Sequence, residues 1–205
     1  REMVKMAKYA GSTIQHGILC FMTGSPNPEK IISMEDTVDY MQRDLTIYAS
    51  KIFQRDLDQN QSLKLPVIIH TINDIERISD HAVNMVEARD RVSGNLLTKS
   101  GPLPDAVDQA ASIVKSMLES IETALRFHER VDSQRVLVFE EKLNRLEEDA
   151  RNYYADSLSN RENDGMTGLA MLDFIEYCER IGDHLTNIAQ SLLGGGVWHG
   201  TDDMH

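Results

Sequence analysis

The feature that most constrains this chain is an internal repeat. Residues 75–81 read IERISDH and residues 178–184 read CERIGDH. A shift of 103 places carries Glu76 onto Glu179, Arg77 onto Arg180, Ile78 onto Ile181, Asp80 onto Asp183, His81 onto His184 and Asn84 onto Asn187. The stretch before each copy matches more loosely: EDTVDYMQRDL (35–45) lines up with EEKLNRLEEDA (140–150). A chain that uses one unit twice must bury the same kind of apolar face twice, so the fold follows from what one unit can form.

That unit is helical. Apolar residues recur at helical spacing, and no stretch alternates convincingly as a strand would. The 5 prolines fall at breaks, and between them lie runs of Ala, Leu, Glu, Met and Arg, which favour helix. VIIH (67–70) is β-branched but runs straight into a helical pattern. Six helices are predicted, over about 3–21, 29–60, 63–92, 105–129, 132–160 and 163–193. The first turns Val4, Ala7, Ala10, Ile14 and Ile18 inward and ends at TGSPNP. The second carries the stripe Val38, Met41, Leu45, Tyr48, Ile52 and Leu57. Asp105 is the expected N-cap of the fourth. Cys178 and the scattered methionines read as core. The expected fold is all-α: two antiparallel three-helix bundles related by the repeat, residues 1–97 and 98–193, followed by a flexible tail, 194–205, that contains Trp198. Two units this small are expected to share some burial.

Lys and Arg number 21 against 33 Asp and Glu, a net charge of -12. Nothing in that balance offsets nucleic-acid phosphates, so a nucleic-acid partner is excluded. Cys20 and Cys178 form no CxxC pair, which fits a reducing, cytoplasmic setting. No run reaches the roughly 18–20 apolar residues of a membrane span. The nearest, AGSTIQHGILCFMTG (10–24), is broken by Gln15 and His16, so this segment is not expected to insert directly. Its first residue is an arginine, which reads as a piece cut from a longer chain.

The repeated motif carries the chemistry. Glu76 and Asp80 share a helix face one turn apart, as do Glu179 and Asp183. A like-charge pair at this spacing costs about 0.2–0.5 kcal/mol when exposed, and a multivalent cation between the oxygens reverses the sign. Carboxylates suit Mg, Ca, Mn or Fe, and zinc becomes possible if His81 or His184 joins. Two carboxylates rarely complete a shell. Glu35 and Asp39 on the preceding helix, their counterparts Glu140 and Asn144, and Asn73, Asp173 and Glu176 upstream of the motif are the further donors. The second unit is richer in acid and is expected to hold more metal. Arg77 and Arg180 are expected as supporting partners behind the ligands, together with His81 and His184.

The competing reading is structural. Acid pairs four apart are common in acidic helices, arginines can neutralise them, and histidines pack. That reading gives a helical interaction scaffold without functional metal. A carboxylate-bridged metalloenzyme is the other alternative, but helical dinuclear sites use Glu-x-x-His, whereas His184 stands five residues from Glu179. There is no glycine-rich phosphate loop, HExxH or GxSxG, so the chain reads as a non-enzyme.

IERISDHAVNM and CERIGDHLTNI resemble the ExxxD signature of the PhoU family, the phosphate-uptake regulators, and the resemblance spans nearly the whole chain. It implies two three-helix bundles with metal clusters of iron, zinc, nickel, manganese or magnesium on their surfaces. It maps the signature carboxylates onto Glu76, Asp80, Glu179 and Asp183, and the preceding-helix positions onto Glu35, Asp39, Glu140 and Asn144. Asn144 departs from the pattern as a neutral donor. The implied role is regulation of phosphate transport through a membrane transporter or a sensor. The leading helix, REMVKMAKYA, looks more like the domain fused behind bacterial sodium/phosphate cotransporters than the free-standing form. That comparison places the transporter portion upstream in the same chain and implies membrane association through it. The sequence leaves a homodimer open.

Overall fold

The computed structural model describes residues 2–25, 27–53, 59–92, 94–96, 99–127, 130–160 and 165–194. They form six helices and no strand: α1 (Glu2–Thr23), α2 (Pro28–Phe53), α3 (Gln59–Arg89), α4 (Pro102–Phe127), α5 (Arg130–Asn160) and α6 (Gly165–Leu193). The all-α architecture with a duplicated three-helix unit is as the repeat predicts.

Helix ends follow local chemistry. α1 stops where Gly24 takes φ 78° and its N–H bonds back to the Cys20 carbonyl at 2.7 Å, an end that favours glycine. The Arg89 guanidinium donates to the Phe21 carbonyl at 3.1 Å, tying this end to α3. α3 begins before the predicted residue 63 and carries Pro66 inside it. Proline deprives the carbonyl four residues back of its donor, but Ser62 and Pro66 are both exposed, so water can take that bond. α4 also starts early. Asp105 is not its cap: its backbone N–H already donates to the Gly101 carbonyl at 2.9 Å. Pro102, with its helix-ready φ and no N–H to satisfy, opens the helix instead. Asp105 sits in the first turn, where its charge suits the helix dipole.

α1, α3, α4 and α6 make an inner layer, with α2 flanking α1 and α3 and α5 flanking α4 and α6. One continuous apolar cluster joins both units, including Met6, Ile14 and Phe21 of α1, Ile75 and Ile78 of α3, Met117 and Ile121 of α4, and Phe174 and Ile181 of α6. Cys20 and Cys178 are buried free thiols within it. Two expected stripes are rotated. In α1, Ala10 and Ile14 are buried as expected, but Met6, Thr13, Gly17 and Phe21 complete the buried face, leaving Val4, Ala7 and Ile18 half-buried. In α2, Tyr48 is 65 % exposed while Ala49 is buried: the small residue lies against the bundle and turns the ring outward. Leu57, and the tail with Trp198, lie outside the described residues.

Phe21 and Phe174 stack across the two units with ring centroids 4.4 Å apart, both fully buried. Phe174→Ala is expected to cost about 3–5 kcal/mol and to lower the denaturant midpoint for both units together. Loss of only one unit's cooperative transition would show that the shared core does not couple them.

Candidate functional site

The first unit brings its predicted acids together. α2 and α3 run antiparallel, with their register marked by Gln42, whose side-chain amide donates to Asn73 at 3.0 Å. One and two turns along from that contact, Asp39 and Glu35 of α2 face Glu76 and Asp80 of α3. Glu35 and Asp80 share a side-chain hydrogen bond. Partial burial, followed by the charges of Asp80, Asp36, Asp39 and Glu76, pushes Glu35 up to about 7. Burial also raises Glu76 and Asp80, against a lowering by the Arg77 charge. Arg43 forms an ion pair with Asp39 at 3.1 Å.

The second unit is assembled differently. Burial raises Glu179, reinforced by Asp183 and by Glu147 of α5. Sequence reasoning missed Glu147, because the loose match of α2 to α5 drew attention to Glu140 and Asn144. Those two meet each other: the Asn144 amide donates to Glu140 at 2.7 Å. Three acids of this unit are paired with arginines. Arg91 reaches Asp173 at 2.7 Å, Arg180 reaches Glu176 at 2.7 Å, and Arg151 pairs with Glu147. The extra acid expected to favour metal in unit two is therefore matched by cations. Gly182 allows α5 to lie close here: a Cβ in its place would stand 3.0 Å from Leu143 Cδ2.

The two histidines meet across the units. His184 Nδ1 donates to Asp74 Oδ1 at 2.9 Å, and the His81 and His184 rings lie 6.1 Å apart. His81 stacks on Tyr177 at 5.9 Å and receives the Asn84 amide at 3.3 Å. Burial, then the positive charges of His184, Arg180 and Arg77, pushes His81 down to about 4, so it is neutral at ordinary pH. A positive charge on His184 lowers both Glu76 and Asp80. Each histidine thus faces the other unit's motif, a partnership across the fold rather than within one helix. Asp74 and Tyr177 occupy equivalent places in the repeat but differ in identity, which is why a search for matching residues passed over them.

The result is a band of polar and acidic side chains crossing α2, α3, α6 and α5. Its donors are mostly carboxylate oxygen, which suits hard cations. Among the described residues, no three His, Cys, Asp or Glu side chains are gathered closely enough to hold a metal ion as they stand. The family model for the PhoU domain matches residues 3–88 and again 107–192, once over each three-helix unit. The chain belongs to the PhoU family. A phosphate-specific transport system accessory protein PhoU homolog of Clostridium acetobutylicum is 25% identical over 180 residues, covering 80% of this chain and 75% of that protein. A homolog with the same description from Xylella fastidiosa is 25% identical over 179 residues, covering 80% of this chain and 69% of that protein. PhoU from Pseudomonas aeruginosa shares the fold with a TM-score of 0.82 at 17% identity, covering 95% and 94% of the two chains. The phosphate transport system regulatory protein PhoU from Streptococcus pneumoniae does so with 0.78 at 16% identity, covering 96% and 94%. The duplicated PhoU domain thus coincides with the duplicated motif.

The raised Glu35 carboxyl gives a pH signature. Folded Glu35 keeps its proton up to about 7, against an ordinary 4.5. Between those values the native state binds more protons than the unfolded chain, so stability falls as pH rises. Glu35→Gln removes that fall. Thermal melts at about pH 4.5 and about pH 7.5 are expected to show the variant gaining on the parent only at the higher pH. A constant difference would mean that folding leaves the Glu35 carboxyl at its ordinary value.

Proposed function

We propose that this chain is a metal-binding regulatory domain of phosphate transport that acts by contact with a membrane transporter or a sensor. The observation that carries the reading is the mutual facing of Glu35 and Asp39 with Glu76 and Asp80, where burial and the neighbouring carboxylates push Glu35 up to about 7, so that its carboxyl holds a proton below that value. A di- or trivalent cation would take over what that proton does, relieving the repulsion and tying α2 to α3. Hard oxygen donors accept iron, manganese or magnesium readily, and geometry and supply sort these as much as affinity does. Glu179, Asp183 and Glu147 would form the corresponding group in unit two. Asp173 and Glu176 are held by Arg91 and Arg180, against Arg43 on Asp39 in the first unit. Among the described residues Glu35, Glu76 and Asp80 keep their oxygens free of ion pairs shorter than 4 Å, so the first unit is the stronger site on this reading.

The regulatory role is supported by membership of the PhoU family and by relatives described as accessory proteins of phosphate-specific transport. Among the described residues no helix is long and apolar enough to cross a membrane. On this reading, contact with a transporter is through a protein face. The partner would be a separate protein or an upstream part of the same chain. Cation occupancy changes the charge of the band and can shift regulation only if the partner distinguishes the two states. No reaction is assigned: the chain serves as a switchable contact.

Elemental analysis after purification without chelator, and again after dialysis against manganese, tests the reading. The Glu76→Ala/Asp80→Ala double variant is expected to lose more metal than Glu179→Ala/Asp183→Ala. Manganese at a hundredfold excess over Kd should stabilise the parent by about 2.7 kcal/mol, and the first variant much less. Equal metal content in the parent and both variants would overturn the assignment.

A further inference from the structure

A groove runs between α1 and α4, and its lining contains none of the acids of the band. The two helices are antiparallel: Lys8 pairs with Glu122 at 3.0 Å toward one end, and Met22 shares a cavity with Asp108 toward the other. Two cavities open along the groove. The first, about 260 Å³, is lined by Gly11 and Leu118 over buried Ile75, Ile78, Ile121 and Ile188. The second is more open, about 550 Å³, and is lined by Ile18, Leu19, Met22 and Ala111. Gln15 lines both. Leu19 is 49% exposed.

The lining forms one stripe on each helix. On α1 it recurs at Lys8, Gly11, Gln15, Ile18 and Met22, and on α4 at Asp108, Ala111, Lys115, Leu118 and Glu122. Steps of three and four residues keep each set on a single face. Judged by these residues, the cavities are centred seven to nine positions apart on either helix, about 11–13 Å at 1.5 Å per residue. The first cavity is open because of one side chain. The shift of 103 carries Gly11 onto Val114, which is buried. A Cβ on Gly11 would meet only Leu118 Cδ2, at 3.8 Å, so packing does not demand glycine there. The rim bears Asp108, Glu119 and Glu122 against Lys8 and Lys115. Lys8 is taken up by Glu122. Asp108 and Glu119 are exposed and in no ion pair among the described residues.

We propose that the α1–α4 groove receives an amphipathic helix with a basic polar face from a partner protein. A helix laid in such a groove anchors through apolar side chains at i, i+3 or i+4, and i+7. Two turns advance it by about 11 Å, which is the spacing of the cavities, so successive anchors drop into both. The lining runs from Ala7 to Met22, a span of about 22 Å or four turns. A small ligand would fill one cavity and leave the other, with Leu19, open to water. The unpaired acids of the rim, in a chain of net charge -12, attract lysine and arginine and repel an acidic helix. This inference rests on the reading of the chain as a contact module and names the chemistry of what it contacts. It needs no bound metal.

Fluorescence anisotropy with a labelled model helix tests it, in chelator so that the result is separate from metal content. The probe is a capped peptide of alanine and lysine with leucines at i, i+3 and i+7. Its control has the same composition with the leucines spread around the helix. The parent is expected to bind the probe at least about tenfold more tightly than the control. Gly11→Leu, which fills the first cavity, and Leu19→Asn, which strips an anchor contact from the second, should each weaken probe binding by about fivefold or more. Asp108→Lys/Glu119→Lys should do the same, and Leu158→Ser on α5 should leave it unchanged. Circular dichroism melts confirm folding, and the exposed Leu19 carries the test if Gly11→Leu is unstable. Equal binding of probe and control, or a Leu19→Asn or charge-reversed protein that binds as the parent does, overturns the proposal. So does a parent that ignores the probe but forms a dimer that Leu19→Asn abolishes, which would give the groove to a second copy.

Discussion

The contact between α3 and α6 organises everything else. These are the two motif helices, and they pack antiparallel, with His184 against Asp74 and His81 against Tyr177. Ile75, Ile78, Ala82 and Met85 of α3 are buried on one stripe, and Cys178, Ile181, Leu185 and Ile188 of α6 on the matching one. Half-buried polar residues border each apolar stripe. The carboxylates beside the core are therefore carried outward toward α2 on one side and α5 on the other. Had the two helices packed in parallel, the histidines would not have crossed to face the other unit's motif.

That arrangement concentrates electrostatic strain where the fold can tolerate it. The large buried side chains of the inner layer make a core common to both units. The acids sit at its flank, where burial is enough to raise Glu35, Glu76, Asp80 and Glu179 but leaves them open to solvent and solutes. A set of like charges held in this way is stabilised by anything that brings positive charge. In the second unit arginines do so. In the first, Arg43 pairs with Asp39 and Arg77 lowers Glu76 and Asp80, while the charges that act most on Glu35 are all carboxylates.

How far the fold was legible depends on the range of the interaction. Helix number and the duplication could be read because apolar period, proline and glycine act over a few residues. The acid pairs on α3 and α6 could be read for the same reason. Features that depend on contacts between helices could not. Tyr48 points outward because Ala49 takes the place against the bundle, a choice that the apolar period of α2 leaves open. Glu147 faces Glu179 because of how α5 seats on Gly182, and alignment to α2 points instead to Glu140 and Asn144. Asp74 pairs with His184 across 110 positions of chain, which no local pattern encodes.

Divergence between the two units has a direction. Where unit one has Asn73, unit two has Glu176, and Arg180 holds it. Where unit one has Gln42, unit two has Glu147, and Arg151 holds it. Neutral pairing in the first unit is thus replaced by acid and arginine in the second. The exchange leaves unit two closer to charge balance without any bound ion, while Glu35, Glu76 and Asp80 in unit one still press on one another. On the proposed reading, a cation arriving at unit one meets the guanidinium of Arg43 on Asp39 and changes local charge toward neutral, and the same ion at unit two must compete with those of Arg91, Arg151 and Arg180. A partner that reads the charge of the band would therefore register occupancy of the first unit, with the second serving as a fixed acidic and basic surface of nearly constant character.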